Sequence, residues 1–224
     1  MANNISVRRV KDAEKKDIVK IVEIHLATFP GFFLTFMGRG FLHQMYKAYV
    51  KHAESGILVA EEDGEVIGFL AYSEQMSSLY KYMLKHQLVQ FAWYSFFAFL
   101  RKPKVFMRLI RAFLKPGESR RDERYIELAS IGVCPDAKAK GVGSSLINAL
   151  KKSVDFNRFA YITLETDAVN NEIANNFYVK NGFCAVRQYE TREGRKMYEY
   201  RYEGETIRAN EENSLHTECC EKSK

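Results

Sequence analysis

The 224-residue chain contains no run of about 18 uncharged apolar residues, so no segment reads as a membrane-spanning helix. Its opening, MANNISVRRVKDAEKK, lacks the apolar stretch of a secretory signal, and a cytoplasmic protein is the default expectation. Cysteines are few: Cys134 and Cys184 are far apart, and Cys219 and Cys220 are adjacent. That pattern fits reduced thiols rather than a disulfide framework. No CxxC pair or Cys/His cluster has zinc spacing, and the five histidines are scattered, so no metal site is expected. The nucleotide loop GxxxxGK[ST] is missing, as is a GxGxxG opening a βαβ unit near the N-terminus.

What remains is a chain of one ordinary domain's size, with a hydrophobic fraction of 46% that suffices for a core. The net charge of +6 is unevenly spread. From Met76 to Glu118 eight Lys or Arg face one acid, whereas from Glu203 to Lys224 six acids face three bases. A basic block in an otherwise balanced chain points to a local anionic partner. No recognisable base-reading module accompanies it, so nucleic acid is not expected as a partner.

Hydrophobic periodicity outlines the elements. Residues 5–10 read as a first strand. Asp12 is placed to cap a helix on which Ile18, Ile21, Val22, Leu26 and Phe29 recur until Pro30-Gly31. A second helix is predicted from about Leu34 to Lys51. Two β-rich runs, 57–62 and 65–73, split by Asp63-Gly64, predict a hairpin. The stretch 76–118 breaks the pattern: ten aromatics, Tyr80 to Phe113, interleave with bases, and Pro103 and Pro116-Gly117 punctuate two or three predicted helices. Strand 125–133, helix 142–155, strand 161–166, helix 173–180 and strands 183–190 and 196–202, around Glu193-Gly194, complete the domain. Residues 203–224 form an acidic tail with little to bury.

Between a strand and a helix lies Val133-Cys-Pro-Asp-Ala-Lys138-Ala-Lys140-Gly141-Val-Gly143-Ser144-Ser145. Glycines let backbone bend closely around a ligand, and the following helix offers unpaired N–H groups and partial positive charge. Lys138 and Lys140 add charge there, so the segment suits a pyrophosphate. A tight strand-to-helix turn is the alternative reading of the glycines alone.

The segment resembles the acetyl-CoA-binding motif of the GNAT superfamily of N-acetyltransferases, [Gln/Arg]-x-x-Gly-x-[Gly/Ala], with Lys138 at its first position. Lysine keeps the charge there and loses the planar fork. A second block, Asn171-x-x-Ala174-x-x-Phe177-Tyr178-x-Lys180-x-Gly182-Phe183, resembles the superfamily's helix-to-strand segment in the expected order. The resemblance implies an α/β (α+β) fold: a mixed, mostly antiparallel sheet of about seven strands, with helices on both faces and 76–118 as a helical insertion. On this reading 1–202 form a single N-acetyltransferase domain.

The resemblance further implies acetyl-CoA as cosubstrate. Ile131, Gly132 and Val133 would contact it through the strand backbone, and Lys138, Ala139, Lys140, Gly141, Val142, Gly143 and Ser144 through the loop. Asn171 would touch the pantetheine arm or only cap its helix. Glu127, eleven residues before Lys138, stands where such enzymes place a base. Its alternative is an ion pair with Arg124. Tyr178 is the matching general acid for the departing thiolate, or else a buried structural tyrosine. Strict alternation puts Glu127, Ala129, Ile131 and Val133 on one face of the strand.

The expected acceptor is a small-molecule amine, for example an aminosugar or sugar nucleotide. Alternatives are a protein amine, or a non-catalytic coenzyme A-binding or lipid-surface module on the same fold. The first two helices, with Phe29-Pro-Gly-Phe-Phe33, would help to wall the acceptor site. The insertion admits three readings: an acceptor lid, which is preferred, an oligomer surface, or an interfacial helix touching anionic lipid. Monomer and homodimer both stay open.

Overall fold

A computed structural model describes residues 5–11, 15–101, 103–104, 123–137, 141–191 and 194–204, with backbone alone at 15, 97 and 101. The predicted cap Asp12, the loop residues Lys138, Ala139 and Lys140, the turn residue Glu193, the rest of the insertion and the tail from 205 lie outside the described residues. Seven strands form one mixed sheet: β1 (Ser6–Arg9), β2 (Ser55–Glu62), β3 (Glu65–Ser73), β4 (Tyr125–Val133), β5 (Tyr161–Asp167), β6 (Cys184–Glu190) and β7 (Lys196–Tyr202). Their order is β1-β2-β3-β4-β5-β7-β6. The helices are α1 (Lys15–Thr28), α2 (Phe33–Met37), α3 (Arg39–Lys51), α4 (Met76–Arg101), α5 (Val142–Ser153) and α6 (Glu172–Lys180). The mostly antiparallel sheet with helices is therefore as the sequence indicates.

The chain divides into two compact units. The first holds β1–β3, β4 from Glu127 onward and α1–α5 up to Lys152; the second holds Tyr125–Ile126, β5–β7 and α6. In the first, the β2–β3 hairpin turns on Asp63 (φ 52) and Gly64 (φ 81). Two successive positive φ angles are what a two-residue turn of matching twist needs. Phe69 of β3 stacks near His25 of α1 and packs edge-on to Tyr46 of α3, which puts α1 and α3 on one face of the sheet. The other face takes α5. Gly68 has no side chain because a Cβ there would come within 2.8 Å of Val142 and 3.3 Å of Leu146.

One helix prediction needs correction. Residues 34–51 are not one helix: the chain breaks at Gly38, whose φ of 91 no side chain adopts comfortably, and α2 and α3 result. In the insertion's described part α4 consists of two helical stretches that meet at a kink at Gln87 (φ −136, ψ 15), in keeping with the two or three helices predicted for 76–118. It packs on α3 through Tyr94, whose ring fills the space a side chain on Gly40 would need, and through Phe91 against Phe41 at 4.8 Å.

The second unit has its own aromatic core. Phe183 lies 6.1 Å from Tyr178 and 5.7 Å from Tyr202, ring to ring, and Tyr125 stacks on Tyr161 at 5.6 Å. The buried carboxylate of Glu199 accepts from Arg187 (3.1 Å) and Arg201 (2.9 Å), so its negative charge is not left without compensation.

Candidate functional site

Strand β4 carries most of the predicted residues, and its register decides what they face. Leu128 pairs with Tyr72 of β3 and Ser130 with Ala71, which leaves Ala129 as a bulge. Directly opposed residues of antiparallel strands share a face. Ser73, Ala71 and Phe69 therefore fix Glu127, Ser130 and Gly132 on the α1/α3 side, whereas Leu70 and Gly68 fix Ile131 and Val133 on the α5 side. The expectation that Glu127 shares a face with Ile131 and Val133 is wrong. One extra residue shifts the alternation by one step, and a period-2 reading cannot see it.

Facing α1 and α3, Glu127 comes near tyrosines that its motif does not mention. Its negative charge helps to raise the pKa of Tyr49, on α3, and of Tyr80, on the first turns of α4. For both hydroxyls burial is the larger cause, and Tyr80 reaches about 12. Opposite Glu127, the Ser73 hydroxyl accepts from Ser55 at 2.9 Å. His52 ties this pair to α4, with Nδ1 at 2.9 Å from the Ser55 hydroxyl and Nε2 at 3.1 Å from that of Ser78. The first turn of the insertion is thus anchored to Ser55 of β2 and, through it, to Ser73 of β3, opposite Glu127.

A second buried chain runs parallel to the first. His25 Nδ1 is 2.6 Å from the Tyr46 hydroxyl, which also bonds the side chain of Ser130 on β4. His25 Nε2 is buried and has no hydrogen-bond partner among the described residues. Packed among Phe29, Tyr46 and Phe69, the imidazole loses hydration and its pKa falls from 6.5 to about 4. A depressed pKa gives stability that is present above pH 6.5 and lost as pH falls towards 4, by about 3 kcal/mol for this shift. We expect His25→Gln to remove most of that slope in urea unfolding measured across the window. An unchanged slope would assign the acid lability to carboxylates instead.

The glycine segment begins with a short 3-10 turn, Pro135–Ala137. Gly141 then takes a φ of +78 with open space where a side chain would stand, and its carbonyl accepts from Ser145 N–H at 2.9 Å. Val142, Gly143 and Ser144 form the first turn of α5, where backbone N–H groups have no partner within the helix. Upstream, Gly132 is bare because a Cβ would meet the Phe69 ring at 2.7 Å. The Val133 carbonyl accepts from Thr28 Oγ1 at 3.3 Å, which ties the end of α1 to the end of β4.

In the second unit, Asn171 precedes α6 without capping it by its side chain. Its amide instead donates to Thr166 Oγ1 (2.7 Å) and to the Asp167 carbonyl (3.1 Å) at the end of β5. Of the two roles read from sequence, side-chain capping is excluded. Tyr178 is 9% exposed among Phe177, Phe183 and Tyr200, and burial first, then the Tyr200 hydroxyl, raises its pKa to about 12. Its hydroxyl stays protonated at neutral pH.

A model of the acetyltransferase (GNAT) family matches residues 18–183, which span both units. The chain belongs to the GNAT acetyltransferase family. Solved structures agree on the fold. NAA60 of Arabidopsis thaliana in complex with acetyl-CoA is 17% identical, with 89% of this chain and 98% of that chain covered and a TM-score of 0.53. The ribosomal-protein-S18-alanine N-acetyltransferase of Escherichia coli is 14% identical (89% and 94% covered, TM-score 0.53). Ard1 of Thermoplasma volcanium is 15% identical (91% and 98% covered, TM-score 0.54). A comparison with curated protein sequences gives no significant match.

As a GNAT acetyltransferase the protein uses acetyl-CoA. Its own residues fit that cosubstrate: the left-handed Gly141, with open space beside it, and the first turn of α5 make a bare, N–H-lined surface suited to a pyrophosphate. The motif positions were legible because they recur at fixed spacing. Tyr49, Tyr80, His25, Tyr46 and Ser130 were not, since only tertiary packing brings them to β4, and no local signal in the sequence distinguishes them from core residues.

Proposed function

We propose that this acetyltransferase moves an acetyl group to the amine of a small acceptor, such as an aminosugar or sugar nucleotide, by direct attack. The observation that carries the reading is the pairing of Glu127 with Ser73, which puts its carboxylate on the face of Tyr49 and Tyr80. A half-buried carboxylate among tyrosine hydroxyls suits a compact polar acceptor. Because Tyr80 belongs to α4, the insertion contributes to that surroundings, in keeping with a platform or lid.

Acetyl-CoA supplies an activated thioester carbonyl. The main chain of Ile131, Gly132 and Val133 would orient its pantetheine arm, with Asn171 near the end of β5, and residues 138–144 would hold its phosphates. Glu127 takes the proton that the acceptor's ammonium must shed before its lone pair can attack. The new C–N bond forms as the C–S bond breaks; Tyr178, kept protonated by burial, gives its proton to the leaving thiolate and regains one as the acetylated nitrogen sheds its extra proton.

Free-thiol release against a panel of aminosugars, other small amines and N-terminal peptides tests the reading. Turnover should be confined to small amines, and acetyl-CoA should stabilise the fold by about 2.7 kcal/mol at 100 times its dissociation constant. Turnover of peptides alone would move the acceptor to protein amines. Thermal stabilisation without turnover of anything would favour a non-catalytic coenzyme A-binding module.

A further inference from the structure

Helix α4 is apolar on two sides. Leu79, Met83 and Ala98 are buried, with Phe91 packed against the core. Away from that face, Leu84 (59%), Leu88 (56%), Val89 (78%), Trp93 (60%), Phe96 (53%) and Leu100 (59%) stay exposed. Beyond the kink at Gln87, Val89, Trp93, Phe96 and Leu100 follow one another at steps of four, three and four residues, so they line one flank. Exposed apolar groups scattered singly need no explanation, but a contiguous stripe on one helix marks a surface that something apolar covers. Among the described residues no helix is long and apolar enough to cross a membrane, so the stripe is not part of a span.

Charge decides between the coverings. No Asp or Glu occurs from Met76 to Gly117, while Lys81, Lys85, Arg101, Lys102, Lys104, Arg108, Arg111 and Lys115 do. Lys81, Lys85 and Lys104 are exposed. A second copy of the chain would bring the same positive segment against itself, which is unfavourable. An anionic bilayer surface offers both what the stripe and what the bases need: an acyl boundary for Leu, Phe and Trp, and negative headgroups for Lys.

We infer that α4 rests on anionic membrane surfaces, with Val89, Trp93, Phe96 and Leu100 entering the headgroup–acyl boundary. The inference goes beyond the acetyl-transfer reading and does not depend on it. It also reverses the preference given to a lid for the whole insertion: Tyr80, at the helix start, faces Glu127, whereas the stripe begins beyond the kink at Gln87.

Trp93 is the chain's single tryptophan, so its emission reports on this flank alone. The full-length protein should sediment with phosphatidylcholine vesicles containing phosphatidylserine, and not with phosphatidylcholine alone. On binding, Trp93 emission should move to shorter wavelength and be quenched by brominated lipid. Lys81→Gln with Lys85→Gln should lower partitioning about tenfold or more, and Val89→Ser with Leu100→Ser should do the same with no loss of turnover on a soluble amine. Absence of binding to the anionic vesicles at low salt would overturn the inference, as would equal binding to neutral ones. So would vesicle binding that leaves Trp93 unchanged, which places the contact elsewhere. A blue shift that grows with protein concentration in the absence of lipid would assign the stripe to a second copy.

Discussion

Glu127→Gln is expected to lower turnover about a hundredfold near neutral pH, as for loss of a general base. The stabilisation by acetyl-CoA should survive. The amide has nearly the size of the carboxylate and keeps its place opposite Ser73, so the strand register need not change. What it cannot do is accept the acceptor's proton. At high pH the amine loses that proton to solvent, and part of the rate should return. A readout independent of catalysis is built into the same site. Tyr80 titrates near 12 chiefly because it is buried and secondly because Glu127 is charged. Removing the charge should lower the tyrosinate midpoint in an ultraviolet titration, and that of Tyr49 with it. Normal turnover at pH 7 would end the assignment of Glu127 as the base. An unaltered titration would mean that its charge does not reach these hydroxyls.

The second large effect belongs to Gly141. Gly141→Glu should abolish stabilisation by acetyl-CoA, because the carboxylate would occupy the open space at the start of α5 and repel a pyrophosphate. A φ of +78 makes any side chain strained there, at a cost to the free protein of about 1–2 kcal/mol. Gly141→Ala carries the same strain without the charge, so the pair separates the two causes. The alanine variant should be less stable alone yet still respond to acetyl-CoA. If the glutamate variant shows an undiminished thermal shift, the phosphates are held elsewhere.

These two residues also mark what could be read from the chain beforehand. Gly141 was legible in identity and in conformation, since its neighbours fix both the motif and the need for an unhindered backbone. The hairpin at Asp63-Gly64 was legible for the same reason: a two-residue turn with positive φ angles leaves few choices of residue. Glu127 was legible in position but not in direction. That it faces away from Ile131 and Val133 depends on Ala129 lying outside the β3 register, and nothing in Glu-Leu-Ala-Ser-Ile announces that. The break at Gly38 was signalled by its glycine but masked by the helical spacing of the apolar residues around it. The place of the kink in α4, at Gln87, was hidden because neither proline nor glycine marks it. The tyrosines around Glu127 lie 47 and 78 positions upstream in sequence and meet it only through the fold.

The bulge has a consequence for how this strand could be shortened. With Ala129 deleted, Leu128 could still meet Tyr72 and Ser130 could still meet Ala71, now as consecutive rungs of a regular ladder. Glu127 would then keep its facing. The surplus residue is therefore not what aims the carboxylate; what it adds is a local bend and a stretch of main chain outside the β3 ladder, immediately before Ile131. A chain one residue shorter would hold every side chain named in the site and yet present a straighter backbone to a long, flexible thioester arm. In such a deletant, loss of affinity for coenzyme A with Glu127 still coupled to Tyr80 would show that the backbone's path, and no single side chain, is the part of β4 under constraint.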